Sequence, residues 1–165
     1  MKAIVAVDEK WGIGKNNDLL FSIPEDMKFF RQTTLGKIVV MGANTLRSFP
    51  NGNPLKNRTN IVLSTTIERD DCTIVRSFDD LLSEIKKYPD EEVYVIGGAM
   101  LYKALLPYCE SVLITKVFAD GNAQAFFENL DALENWKCVS EGEELESNGY
   151  KFKFTTYKNL KVKEF

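Results

Sequence analysis

The sequence predicts one α/β domain built on a wound sheet and closed by an antiparallel hairpin. Three observations carry that expectation. Strand-like apolar runs alternate with helix-period segments through the first two thirds of the chain. The last third changes to two extended runs about a turn signal. The 165 residues also hold no Gly/Ser/Pro-rich linker, internal repeat or low-complexity tract that would divide them. A chain of this length buries roughly 70% of its unfolded surface, so a substantial core is available.

In chain order, strands are expected over residues 2–7, 38–41, 60–63, 73–75, 93–96 and 112–118, where β-branched and other apolar residues cluster between polar or glycine boundaries. Helical periodicity falls between them, over residues 23–32, 44–49, 78–87 and 99–106. Ser22 and Glu25 are spaced as an S-x-x-E capping box with Pro24 in the first turn, which predicts a helix start near residue 23. Residues 137–143 and 150–157 flank Ser147-Asn148-Gly149, the turn of the closing hairpin.

Composition narrows the function. With 44% hydrophobic and 27% charged residues and a net charge of -3, the chain reads as an ordinary soluble globule whose partner is a small molecule, not nucleic acid or an anionic membrane. The three cysteines are odd in number and form no C-x-x-C, so neither a disulfide framework nor a zinc site is indicated, and a reducing cytoplasm fits. No basic leader with an apolar stretch opens the chain, and no run of about 18 apolar residues occurs. Histidine is absent, which excludes Ser-His-Asp and Cys-His catalysis and histidine metal ligation. Proton chemistry falls to carboxylates, Tyr, Lys or water.

One carboxylate stands out. Asp26 shares a helical face with Ile23, Met27 and Phe30, while Glu25 already serves the helix N-terminus. A carboxylate in such a partly dry place has a raised pKa and suits a protonated, amidine-like ligand edge. The competing reading is an ordinary helix-end acid. Several strand ends are suited to phosphate: Gly97-Gly98 after residues 93–96, Gly42 ahead of Asn44-Thr45, and Ser64-Thr65 after Leu63. Each alone is an ordinary turn, but three together fit a dinucleotide lying across the carboxyl ends of the strands. Neither G-x-G-x-x-G nor the P-loop pattern occurs, and Gly12-Ile13-Gly14 reads as a G-x-G within a polar loop.

These residues resemble the short bacterial dihydrofolate reductases. The matching pieces are Ile4-Val5-Ala6 before the loop ending in Gly12-Ile13-Gly14; Ser22 to Asp26 with Phe30; Val40-Met41-Gly42 with Thr45; Pro54 to Ser64; Val95-Ile96-Gly97-Gly98 with Tyr102; and Thr115, in order over residues 1–160. The resemblance implies a mixed eight-stranded sheet flanked by about four helices, and NADPH-dependent reduction of 7,8-dihydrofolate to tetrahydrofolate for one-carbon metabolism by a cytoplasmic monomer.

It also implies roles. Asp26 is the catalytic acid that binds the pterin, supported by Thr115, with Ile4, Val5, Ala6, Met27, Phe30, Phe49, Leu55 and Ile96 around the substrate rings and Arg58 clamping the glutamate carboxylate. For the cofactor it implies Ala6, Ile13, Gly14 and Tyr102 by the nicotinamide. Gly42, Asn44, Thr45, Ile96, Gly97, Gly98, Ala99, Met100 and Leu101 are expected along the diphosphate, and Leu63, Ser64, Thr65 and Arg76 near the adenosine. Residues 9–20 resemble the family's mobile loop, with Gly12, Gly14, Asn16 and Asn17 compatible with bending.

Three departures stand against this pattern. Leu20-Phe21 replaces Pro-Trp and removes an indole N–H; Ala43 replaces a basic residue that grips phosphate, with Arg76 or Arg47 as candidate substitutes; and residues 121–126 alter the bonds expected to hold the mobile loop closed. Two rival readings remain open: a related pterin or pyrimidine reductase of the same fold, against which Arg58 argues, and a non-catalytic nucleotide- or folate-binding protein, which Ala43 and Phe21 would suit.

Overall fold

A computed structural model describes residues 1–16 and 18–165; Asn17, among the residues expected to let the loop bend, lies outside the described residues. Among the described residues eleven strands and four α-helices follow one another as β1 (Lys2–Val7), β2 (Gly12–Gly14), α1 (Pro24–Thr34), β3 (Ile38–Gly42), α2 (Ala43–Ser48), β4 (Thr59–Leu63), β5 (Thr73–Val75), α3 (Phe78–Ile85), β6 (Val93–Gly97), α4 (Ala99–Leu105), β7 (Ser111–Val117), β8 (Ala125–Phe126), β9 (Trp136–Glu141), β10 (Leu145–Ser147) and β11 (Tyr150–Asn159). The main sheet runs β10-β11-β7-β1-β6-β3-β4-β5, and β9 also pairs with β11. β10 takes the first residues of β11 and β9 its last, so both occupy one edge of that strand and the sheet is eight strands across.

The pairing is parallel from β7 to β5 and antiparallel where β11 meets β7. Parallel strands buried on both faces need continuous apolar runs, and Ile38 to Met41 supplies one at 7% exposure or less throughout. Alternate residues feed opposite faces. Val40 joins a large cluster with Ile61, Val95, Ile114 and residues of α3 and α4, whereas Val39 and Met41 pack with Leu46 of α2 on the other side. Ile23 leads into α1 and packs with Val117 and Phe152, while Phe29 lies against Phe154 with ring centres 4.7 Å apart and tilted by 38°. These contacts set α1 across β7 and β11.

The expected elements are present, with most boundaries shifted by one or two residues. The hairpin turn is Asn148-Gly149, with φ of 53° and 82° and Ser147 opposite Tyr150, as a two-residue turn with both φ positive requires; the strand across it is β10, which was not expected, and β9, near the expected 137–143, pairs instead with the far end of β11. One expectation fails. Ile23, not Ser22, is the N-cap of α1, and no side chain caps the helix. Pro24 restricts the preceding residue to extended backbone, which makes Ile23 the boundary and leaves Ser22 one residue too early. The Ser22 carbonyl instead accepts from Asn148 Nδ2 at 2.7 Å, and Glu25 is held below its usual pKa by the Ser147 hydroxyl.

The second difference is a two-stranded sheet of β2 and β8. Gly12-Ile13-Gly14 is therefore a strand and not only a loop. Gly12 is forced by crowding, since a Cβ there would lie 2.8 Å from Asp8 Oδ2 and press on the Ala123 side chain.

Candidate active site

Asp26 sits in the first turn of α1, which lies across β7, and Thr115 projects toward it from that strand. Thr115 Oγ1 donates to Asp26 Oδ1 at 2.6 Å. Thr115 is 3% exposed and Asp26 half-buried. Burial raises the Asp26 pKa above the ordinary carboxylate value, and the Thr115 hydrogen bond opposes that rise without cancelling it. The acid is thus held by a neutral donor, and among the described residues no cation is paired with it. That arrangement keeps its charge available for a ligand.

The other end of α1 builds a basic end. A cavity of about 560 Å3 lies beside it, with Phe49, Leu55, Arg31 and Arg58 in its walls. Arg58 Nη1 donates to Thr34 Oγ1 at 3.2 Å and Nε to the Lys56 carbonyl at 2.9 Å, which fixes the guanidinium before any ligand arrives. Burial, then the nearby Arg31 charge, lowers the Arg58 pKa. Arginine stays protonated in proteins, so two cations here await an anion. Phe49, Leu55 and Ile96 each pack against the Val39–Met41 side of the sheet, and Phe49 and Leu55 give the cavity apolar wall. Phe30 is half-buried, but Met27 is 55% exposed, so that side chain is not part of the core.

A second row of expected residues lines the carboxyl ends of β3, β4 and β6. Gly97 has φ 134°, the Gly97–Gly98 peptide is cis, and a Cβ on Gly97 would stand 3.0 Å from Thr45 Oγ1. A side chain there would fill the space between β6 and α2. Asn44 and Thr65 are exposed and Gly42 has open space around it. Ser64 is 7% exposed, and its hydroxyl accepts from the Thr66 and Ile67 amides at 3.2 and 3.0 Å, so it shapes the turn after β4. Arg76 reaches the same turn and donates to the Ser64 carbonyl at 3.0 Å. Arg47 is engaged by Asn44 Oδ1 at 3.1 Å. Of the two substitutes for the missing charge at Ala43, Arg76 is the one placed at the β4 end.

Other expected residues divide between backbone and side-chain duty. Ile4, Val5 and Leu101 are buried, Leu63 is half-buried and packs against the core, and Met100 is 88% exposed. Tyr102 is 6% exposed and its hydroxyl donates to the Ile4 carbonyl at 2.7 Å; burial, then the Asp26 charge, raises its pKa. Tyr102 is therefore a core tyrosine whose hydroxyl lies within the field of the acid. Ala6 and Ile13 are half-buried, and Ala6 pairs with Thr115, which puts the end of β1 beside the acid. Ala99 follows Gly98 at the start of α4.

The loop between β1 and α1 is fastened by a residue that sequence reasoning missed. Asp8, 3% exposed, accepts from the amides of Lys10, Gly12 and Gly121 at 2.9, 2.7 and 3.0 Å. Its signal was an Asp at a strand end four residues before a Gly, the pattern of a side chain that caps its own turn. Gln124 supplies two more ties: its amide donates to the Gly14 carbonyl at 2.8 Å and its Oε1 accepts from the Asn16 amide at 3.0 Å. Phe21 packs at a tilt against Tyr150, ring centres 4.8 Å apart, and brings no hydrogen-bond donor of its own. Among the described residues no His/Cys/Asp/Glu group could hold a metal, and no helix is long and apolar enough to cross a membrane.

An α/β sheet with glycine and polar residues at the carboxyl ends of its strands, an acid held by a neutral donor at one end of α1 and a fixed arginine beside a cavity at the other, defines the class: a wound α/β protein whose geometry suits a small ligand of mixed polarity. The comparisons give that class a family. A family model described as dihydrofolate reductase matches residues 1–159. The chain is 39% identical to the dihydrofolate reductase of Bacillus subtilis over 93% of this chain and 91% of that one, and 32% identical to that of Staphylococcus haemolyticus over 96% and 95%. A solved structure of dihydrofolate reductase from Enterococcus faecalis, complexed with NADP(H) and RAB-propyl, superposes with a TM-score of 0.83 at 32% identity, covering 96% of this chain and 95% of that one. This chain belongs to the dihydrofolate reductase family.

Proposed function

We propose that Asp26, Thr115 and Arg58 are the residues through which this chain performs its family's reaction, the NADPH-dependent reduction of 7,8-dihydrofolate to 5,6,7,8-tetrahydrofolate. The observation that carries the reading is Asp26, a carboxyl of raised pKa bonded to Thr115 and, among the described residues, paired with no cation. Asp26 accepts the two donors on the amidine-like edge of the pterin, and its charge there favours protonation at N5. Thr115 orients the carboxylate. Arg58, preset by Thr34, binds the glutamate α-carboxylate through its fork, and Phe30, Phe49, Leu55 and Ile96 enclose the rings between.

The residues also fit the cofactor. Gly97, Gly98 and Gly42 leave the strand ends open, Thr45 and Asn44 present polar groups there, and Arg76 adds a cation at the adenosine end. Ala6, Ile13, Gly14 and Tyr102 hold the nicotinamide end. NADPH when bound supplies the hydride that reduces C6. The chain's part is to orient the ring, exclude water by the loop that Asp8 and Gln124 fasten, and keep Asp26 charged against the pterin.

Three free thiols support a reducing cytoplasm as the setting. Exposed large apolar side chains are scattered over α1, α4, β8, β9, β10, the loops and the C-terminal residues instead of one element, which supports a monomer. A steady-state assay with dihydrofolate and either NADPH or NADH tests the reaction. Dihydrofolate-dependent loss of nicotinamide absorbance is the expected result; cofactor binding without turnover overturns it. Sedimentation tests the monomer.

A further inference from the structure

Behind the strand that carries Thr115, the fold builds a charged aromatic box that the reaction itself does not use. Trp11 has φ of 63°, a left-handed conformation that is costly for a tryptophan and persists only where its surroundings over-determine it. The surroundings do so. Phe127 stacks on the indole at 6.4 Å, Tyr157 meets it edge-on at 6.0 Å, and the Lys116 ammonium sits 5.2 Å from its ring centre. Lys116 is itself held: its Nζ donates to the Tyr157 hydroxyl oxygen at 2.5 Å and lies 3.4 Å from Asp131 Oδ2, and the Tyr157 hydroxyl donates to Asp131 Oδ1 at 2.7 Å.

We infer that Lys116 is a positioning residue for hydride transfer, fixing Trp11 and through it the strand segment Gly12–Gly14. The inference rests on the reading given under Proposed function. Trp11 immediately precedes β2, its carbonyl accepts from the Phe127 amide at 2.8 Å, and β2 pairs with β8 one residue further on. The place of the Trp11 ring therefore sets the place of Ile13 and Gly14. A second line runs inward, since Phe127 also packs edge-on against Tyr102 at 5.0 Å. Thr115 and Lys116 are neighbours on β7 and point to opposite faces, so Lys116 acts on the loop side while Thr115 holds the acid. The ammonium serves both as a cation over the indole and as the partner of Asp131.

Lys116→Met keeps the length of the side chain, removes the charge and leaves the Tyr157–Asp131 bond in place. Its expected effect is a roughly 2- to 30-fold fall in kcat, the range spanned by loss of one cation–π contact, with KM for dihydrofolate unchanged. Lys116→Arg restores kcat, because guanidinium also sits over indole. Trp11 emission, read in a Trp136→Phe background or as the difference from Trp11→Phe, shifts in Lys116→Met and returns in Lys116→Arg. Wild-type protein with no dihydrofolate-dependent turnover overturns the proposed function. Active wild type with Lys116→Met unchanged in kcat and emission overturns the tether. So does a variant whose kcat and dihydrofolate KM worsen together with a lowered Tm that arginine does not restore, since that is general destabilisation.

Discussion

Replacing Asp26 by Asn separates what this side chain does for the reaction from what it costs the fold. Asn keeps the shape and still accepts from the Thr115 hydroxyl, so the 2.6 Å hydrogen bond has a successor. The charge is lost. Without it the pterin edge loses its charge-assisted partner and protonation is no longer favoured; a positioned acid–base group contributes about 10²- to 10⁴-fold, so kcat/KM with dihydrofolate at neutral pH is expected to fall by that factor, or roughly 3 to 5 kcal/mol. As pH falls and substrate arrives already protonated, the variant recovers about one decade per pH unit.

Stability moves the other way. Because burial raises the folded pKa of Asp26, the native state binds a proton more readily than the unfolded chain does. Stability is then fully present below the unfolded value of about 3.9 and is lost as pH rises through the raised folded pKa. At neutral pH the wild type carries a penalty that the uncharged variant lacks. Asp26→Asn is therefore expected to unfold at a higher Tm at neutral pH, with the difference closing as pH approaches 4. The assays are steady-state rates with dihydrofolate and NADPH across pH, and thermal denaturation across the same range. Unchanged neutral-pH turnover refutes the catalytic role. A lower Tm at neutral pH refutes the electrostatic reasoning.

Arg58→Lys loses the fork and the contact with Thr34, so KM for dihydrofolate is expected to rise roughly 10- to 150-fold, the worth of one charge-assisted bond, with kcat little changed. Gly12→Ala drives a methyl toward Asp8 and Ala123 and is expected to destabilise the protein by about 1 to 3 kcal/mol in a urea melt; Ala123→Gly in the same chain relieves only the alanine contact and rescues part of the loss. Ala43→Arg adds the cation that α2 lacks beside Gly42, and the ratio of kcat/KM for NADPH over NADH is expected to rise about tenfold or more.

Much of this was legible in the sequence because it rests on local rules. Continuous apolar runs marked β3 and β6, Asn148-Gly149 marked the hairpin, and the spacing of Asp26 from Ile23 and Phe30 put the acid on the face that meets the sheet. What was not legible depends on contacts distant along the chain. Asp8 finds Gly121 across 113 residues, Trp11 finds Lys116 and Tyr157, and β2 exists only because β8 arrives beside it. The capping box failed for a different reason. Its residues were at the right spacing, but the proline between them moved the helix boundary by one residue, and Glu25 found Ser147 instead.

On the proposed function, the placement of charge along α1 is what would let a chain of net charge -3 select a ligand with opposite ends. Asp26 lies in the first turn and Thr34, which holds Arg58, in the last, so the acid and the clamp are separated along the axis by about 12 Å at 1.5 Å per residue. A ligand bound to both must carry its donor-rich ring at one end, its carboxylate at the other, and an apolar span between them to meet Phe49 and Leu55. Reversing the ligand would set carboxylate against Asp26 and a cationic ring against Arg58 and Arg31, two like-charge contacts in a partly desolvated cleft. On the proposed function, one helix of eleven residues would set both the chemistry of the ligand and the direction in which it lies, with the reducible ring at the end where β1 and β7 pair at Ala6 and Thr115.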